Sequence, residues 1–484
     1  MKGHIPLKDN KIYRWIMIPI CIAMCLFGRF IPPFEGLSSD AMGVIFIFLG
    51  SLILWLTIGI DWPSLLCIFS LSFLKNIGFK SALANSFGNE TWLFLLFTFI
   101  CTYALSKTSL IKRVAIAFVD NKLAKKSGRL FILLFLTSIL LLGLFISPTV
   151  LFIVVLPILN EIFEIAHIEK GDRIAKVLMM GLGFTVSISS GMTPIAHVFP
   201  VLALKAAAAS ISLIVYMGMA IPAGIVLFML MYFMLILFAK PEVDKLKDLD
   251  LSSLRKALPK TNKKDIVILS IFVMVILLWI VPSFFKEAAP DFYNAINQYG
   301  TAMPPLLGVL LLCIIRIDGE PLIKVDDAFR NGIPWGSLMM CAATLVLGVA
   351  LTNDAIGLKA FLKDNIGSSL TGVAAIGLLI IFALWAAIQT NLSSNMVTAT
   401  LVSAVAASVL ASADTGLNLN AMASVIGMLA SFAFATPPSM PHIAIVAGSD
   451  YCSTKDVLIY GGVLMVLSIL VACLIGYPLA CLFM

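Results

Sequence analysis

Long uncharged apolar runs of about 17–25 residues recur along this chain, each long enough to cross a bilayer as a helix. In lipid, every backbone N–H and C=O must be satisfied within the protein, so such runs fold as helices and not as open sheets or exposed loops. Composition agrees. Of 484 residues, 61% are hydrophobic and 12% charged, where a soluble domain carries about 25% charged. The longest charged stretch, residues 240–265, is too short and too polar to hold a core of its own. The expected fold class is therefore an all-α polytopic membrane protein, and a soluble enzyme is excluded.

Apolar spans fall at 14–31, 41–60, 62–75, 91–106, 175–210, 212–239, 265–283, 300–315, 336–352, 419–447 and 457–483, about 11 transmembrane helices. Two further runs differ. Residues 130–160 would make a single helix of about 46 Å, too long for a hydrocarbon core of about 30 Å and too short for two spans. At the middle stands Ser147-Pro148-Thr149, and proline removes a backbone donor and clashes with the preceding turn. A re-entrant helical hairpin is expected. Residues 371–412 share the plan, with Gln389-Thr390-Asn391-Leu392-Ser393-Ser394-Asn395 at the centre.

Charge supports this layout. With both hairpins re-entrant and the N-terminus inside, the inner segments 1–14, 107–129, 161–176, 240–264, 316–335 and 448–456 hold 26 of the 33 Lys and Arg residues. Six are outside: Arg29, Lys75, Lys80, Lys286, Lys359 and Lys363. Lys205 alone lies within a span. The positive-inside rule accounts for the net charge of +7 without nucleic acid. It places the chain in the cell (inner or plasma) membrane with a cytoplasmic N-terminus, and the uncharged C-terminus outside. The polar, basic start has no cleavage site after its first apolar run and reads as a cytoplasmic tail. Nine cysteines contain no CxxC pair and read as packing residues, with no metal site and no cofactor implied.

Hairpin followed by interrupted helix occurs at 130–210 and again at 371–447, entering from opposite sides. Inverted repeats of this kind mark secondary transporters, whose site lies at the midplane between broken helices. The organisation is then N-terminal scaffold helices (1–129), a first transport repeat with its following span (130–239), a cytoplasmic linker (240–264), second-half scaffold helices (265–352), a second transport repeat (371–447) and a last span (457–484).

The first interrupted helix contains Ser187-Ile188-Ser189-Ser190-Gly191-Met192-Thr193-Pro194, and the second contains Thr436-Pro437-Pro438-Ser439-Met440-Pro441-His442. Breaks in mid-membrane free backbone groups, and half-helix N-termini with their free N–H groups suit a carboxylate. Six of the seven positions from Gln389 to Asn395 are polar, which lipid would not tolerate unpaired. Only four histidines occur, and His197 and His442 follow the Thr-Pro elements of the two repeats, where an imidazole can carry a proton or a charge. No Walker A, HExxH or GxSxG sequence is present, so P-loop, metalloprotease and α/β-hydrolase chemistry lose their anchors.

With these motifs the whole chain resembles the divalent anion/sodium symporter family, which includes di- and tricarboxylate carriers. The resemblance is most specific at Ser147-Pro148-Thr149, Ser394-Asn395-Met396 and the stretch Ala435 to Tyr451. It implies a homodimer whose transport domain moves against a scaffold as an elevator, with small dicarboxylates such as succinate, malate or 2-oxoglutarate as substrates. By the same resemblance, Ser147, Pro148, Thr149, Ser190, Gly191, Thr193, Ser394, Asn395, Met396, Thr436, Pro437, Met440 and Pro441 bind substrate. Both Ser-Asn-Thr motifs of the family are altered here, by Pro148 in the first and Met396 in the second. Each change deletes a side-chain oxygen that a cation could use. With His197 and His442 as charge-compensating imidazoles, the pattern resembles the family's sodium-independent exchangers. Exchange is therefore the expectation, with sodium- or proton-coupled di-/tricarboxylate or sulfate symport as the alternative, and a channel or membrane-embedded enzyme as the reading of another class.

Overall fold

A computed structural model describes residues 11–195, 197–209, 211–258, 260, 262–285, 287–358, 361, 375–412 and 416–483. Lys286, Lys359 and Lys363, the first residues of the tail and the start of the second hairpin run lie outside them. The protein is an all-α bundle. Among the described residues the sole strand pairing is a two-residue hairpin, Arg316–Ile317 against Glu320–Pro321. Seven helices among the described residues are long and apolar enough to cross a membrane, or nine if each of two sharply bent pairs counts as one span. Those pairs bend by 60° between Ser106 and Leu110 and by 76° between Gly332 and Trp335. Shorter apolar helices, Asp61–Leu71 and Met303–Ile314 among them, occupy other expected spans.

Each expected interruption is a break in the chain's helices. The first hairpin consists of Gly128–Gly143 and Pro148–Ile165. The second consists of Ala375–Leu392 and Asn395–Ser412. The first broken helix runs Arg173–Met192, then Phe199–Ala206. The second runs Leu419–Ser431, then, after a short 3₁₀ turn at Pro437–Ser439, Pro441–Gly448. Three of the restarted helices carry proline in their first turn, where a missing N–H costs nothing because that group has no intrahelical partner.

Arg173–Met192 and Leu419–Ser431 form the centre of the molecule, buried on all sides. They touch at Gly191. A Cβ there would stand 2.7 Å from the Phe432 ring and 3.0 Å from the Met428 carbonyl, so only glycine lets the two backbones approach so closely.

The segments that the charge count assigns to the inner side are tied together. Lys107 pairs with Asp327 and Arg255 with Asp120. Arg173 pairs with Glu242, Lys245 with Asp172 and Lys170 with Asp450. Contacts between expected outer segments gather at the other end: the Ser38 hydroxyl donates to the Ile356 carbonyl at 2.7 Å, and the Asn76 amide to Asp40 at 2.9 Å. The Thr301 hydroxyl likewise donates to Glu90 at 2.8 Å. Exposed pairs like these contribute little stability, but they divide the loops between two ends as the alternating topology requires.

Candidate functional site

A cavity of about 480 Å³ lies where the two repeats meet. Its wall contains Ser147, Pro148 and Thr149 from the first hairpin tip and Ser394, Asn395 and Met396 from the second. His197 and Phe199 come from the first broken helix, and Met440 and Pro441 from the second. Four helices, beginning at Pro148, Phe199, Asn395 and Pro441, thus start at one cavity. Each N-terminus offers unpaired N–H groups and about half a positive charge. Together they supply roughly two charges without an ionised side chain, a potential that fits a dianion.

The remaining expected site residues stand behind this wall and hold it. The Thr193 hydroxyl donates to the Leu144 carbonyl at 2.6 Å, fixing the first hairpin tip against the broken helix. Ser190 bonds back to the Ser187 carbonyl at 2.8 Å, a local bond of the kind membrane helices use routinely. The Gly191 carbonyl accepts from the Tyr216 hydroxyl at 2.6 Å. Thr436, next to Pro437, donates to the Asn391 carbonyl. None of Ser190, Gly191, Thr193, Thr436 and Pro437 lines the cavity.

Asn391 shows how the freed backbone is satisfied. Its Oδ1 accepts from the N–H groups of Phe434 and Ala435 at 2.8 and 2.7 Å, and its Nδ2 donates to the carbonyls of Ala387 and Phe432. All four side-chain hydrogen-bonding positions of this amide are thereby used. Asn395, four residues on, differs. It is 5% exposed and its Oδ1 has no hydrogen-bond partner.

The histidines diverge from the expected charge-compensating pair. His442 is fully buried outside the cavity wall, its Nε2 2.8 Å from the Ser187 hydroxyl. That hydroxyl donates to the Ala433 carbonyl at 3.1 Å, so its lone pair receives the imidazole N–H. His197 does line the cavity, but its Nδ1 accepts the Val198 N–H at 3.0 Å. A nitrogen that accepts carries no proton, so this ring is a neutral donor through Nε2. The His197 imidazole is therefore not a fixed cation, and His442 stands outside the cavity wall.

Sequence reasoning missed further residues of the cavity wall: Phe99, Thr102, Tyr103 and Ser106 on one bent pair, Asn331 to Pro334 and Ser337 on the other, and Ser439 from the second repeat. Asn331-Gly332-Ile333-Pro334 is a run of chain breakers that could have announced its bend. Gly332 is required there, since a Cβ would meet the Tyr103 ring at 2.7 Å. At the rim, Asp327 accepts from Tyr103 at 3.0 Å and from Asn331 at 2.7 Å.

Helical hairpins and broken helices that converge on an anion-suited cavity define a secondary transporter. The chain belongs to the family described as the sodium:sulfate symporter transmembrane region, which matches residues 12–484. It is similar to the sodium-dependent dicarboxylate transporter SdcS of Staphylococcus saprophyticus, at 25% identity over 97% of this chain and 92% of the relative. It is similar also to SdcS of Staphylococcus aureus (strain bovine RF122 / ET3-1), at 24% identity over 98% of this chain and 92% of that protein. The resemblance drawn from the motifs is thus the family itself, and the protein is a membrane transporter, not an enzyme.

Proposed function

We propose that the chain is a sodium-coupled symporter of small dicarboxylates. The observation that carries the reading is the pairing, in one cavity, of four helix N-termini with the unpartnered, buried Oδ1 of Asn395. The N-termini suit a dianion. The free carbonyl oxygen does not, because a buried acceptor with no donor adds negative potential to the wall of the same cavity. A hard cation bound beside the anion removes that conflict, with the oxygen as a ligand. The expected sodium-independent exchange rested on the altered Pro148 and Met396 motifs and on two imidazolium charges, but His197 has the hydrogen-bond geometry of a neutral ring and His442 lies outside the cavity wall. The sodium dependence in the names of the relatives supports the same revision.

In this reading Ser147, Thr149 and Ser394 offer hydroxyls to the carboxylates, and the second hairpin tip offers oxygens to sodium. Pro148 and Met396 shape the wall without contributing a ligand. Movement of the two repeats past the scaffold face at Tyr103 and Asn331 would expose the cavity alternately, in a homodimer. Proteoliposomes empty of substrate should accumulate labelled succinate under an inward sodium gradient and not under a choline gradient. Uptake that needs internal dicarboxylate and ignores sodium would return the protein to the exchangers.

A further inference from the structure

Lys205, the sole Lys or Arg within a span, belongs to no part of the central site. It closes the half-helix Phe199–Ala206 and lines a separate cavity of about 400 Å³. This cavity lies between the first broken helix and scaffold helices near the end of the molecule that holds Glu90 and Thr301. Its volume is in the range of about 300–1,000 Å³ that holds small ligands.

Three features define what would fit. First, among the described residues the Lys205 ammonium has no hydrogen-bond or ion-pair partner; the one carboxylate in the same cavity wall, Glu90, accepts from Thr301. The helix C-terminus beneath Lys205 offers only about half a negative charge, and Glu90 shares the cavity wall without pairing with it, so an anion can still gain from the ammonium. Second, the wall opposite is apolar, built by Phe94, Leu213, Ile214, Leu278 and Trp279. A small hydrophilic dianion would leave that wall dry and unfilled. Third, the rim is polar, with Tyr293 and Asn297 near Thr301.

We infer that this cavity is a binding site for an amphiphilic monoanion, a carboxylate or phosphate head on Lys205 with a hydrocarbon body against Trp279 and Leu278. Because its walls come from both the broken helix and the scaffold, an occupant wedges the two together and inhibits transport without competing for the central cavity. Such a site would act in the same way whichever ion accompanies the central anion.

The test uses the purified full-length protein in nanodiscs and a decanoic acid brominated on its chain, which quenches tryptophan emission on contact. A Trp279→Phe variant isolates the signal of Trp279 from the other six tryptophans. The acid should quench Trp279 saturably, with at least tenfold higher affinity than the matching brominated alcohol. Lys205→Gln should abolish that preference and Lys205→Arg should keep it. Acetate and inorganic phosphate should not compete. Equal quenching by acid and alcohol on the wild-type protein, a comparison that needs no lysine variant, overturns the proposal. Competition by phosphate as strong as by decanoate overturns the amphiphile and leaves a plain anion site.

Discussion

The two repeats share a plan but divide the labour. In the first, the hairpin tip is closed by proline, and its turn is held from outside by Thr193. Its histidine faces the cavity as a neutral donor. In the second, the turn is held from within by Asn391, Asn395 in the cavity wall keeps a buried amide oxygen without a partner, and the histidine is buried behind the wall. Under the proposed sodium coupling, cation-ligating capacity is concentrated in the second repeat, whereas both repeats contribute helix N-termini. Loss of one Asn from a doubled motif makes the site asymmetric without abolishing its chemistry.

The largest effect should come from Asn391→Ala. It strands the Phe434 and Ala435 N–H groups in a region with no water, at roughly 1–3 kcal/mol for each buried group. Thermal unfolding in detergent should show a loss of at least about 3 kcal/mol, and an unchanged melting temperature would mean that Asn391 does not hold the second turn. Next comes Asn395→Ala, which leaves the fold intact because its Oδ1 bonds to nothing. Half-saturating sodium should rise by roughly tenfold to a hundredfold, about 1–3 kcal/mol. Ser147→Ala, the counterpart change in the first repeat, should act on succinate more than on sodium; equal sodium shifts from both variants would erase the asymmetry. A smaller effect is expected of His197→Gln, which keeps a donor toward the cavity. Its succinate affinity should change less than about threefold, near 0.6 kcal/mol. A much larger loss would restore the imidazolium as countercharge.

Asp172 and Lys245 carry the smallest expected effect. Their 2.6 Å contact holds the Asp172 carboxyl below its ordinary range and raises the Lys245 ammonium, each chiefly through the other. The Asp172 contribution is present above the ordinary carboxylate value and fades as pH falls through the lowered one. The Lys245 contribution is present below the ordinary ammonium value and fades as pH rises through the raised one. Between these limits, Lys245→Met should shift the melting temperature only slightly, since both groups are near solvent.

The hairpins and broken helices were legible because proline and clustered amides have local consequences that a run of Leu, Ile and Val cannot disguise. Ser147, Ser394 and Asn395 reached the cavity as expected. The division between Asn391 and Asn395 was not legible. Both are amides in one polar run, and only the folded turn at Phe432–Ala435 decides which is consumed. The settings of His197 and His442 were not legible for a similar reason: each stands just beyond a Thr-Pro element, yet the Ser187 hydroxyl and the Val198 N–H are the partners that the fold gives the two rings. Tyr103 and Asn331 escaped notice because their segments look like ordinary scaffold until a bend brings them to the cavity.

A positive potential made by helix ends has an evolutionary consequence. It is written in the path of the main chain, so the loss of any one neutral side chain leaves it in place. Exchanges among uncharged residues around the four N-termini alter which ligand is held, and the pocket still draws divalent anions. One scaffold can thereby acquire new cargo by altering hydroxyls at the hairpin tips, while the attraction for doubly charged molecules is inherited intact.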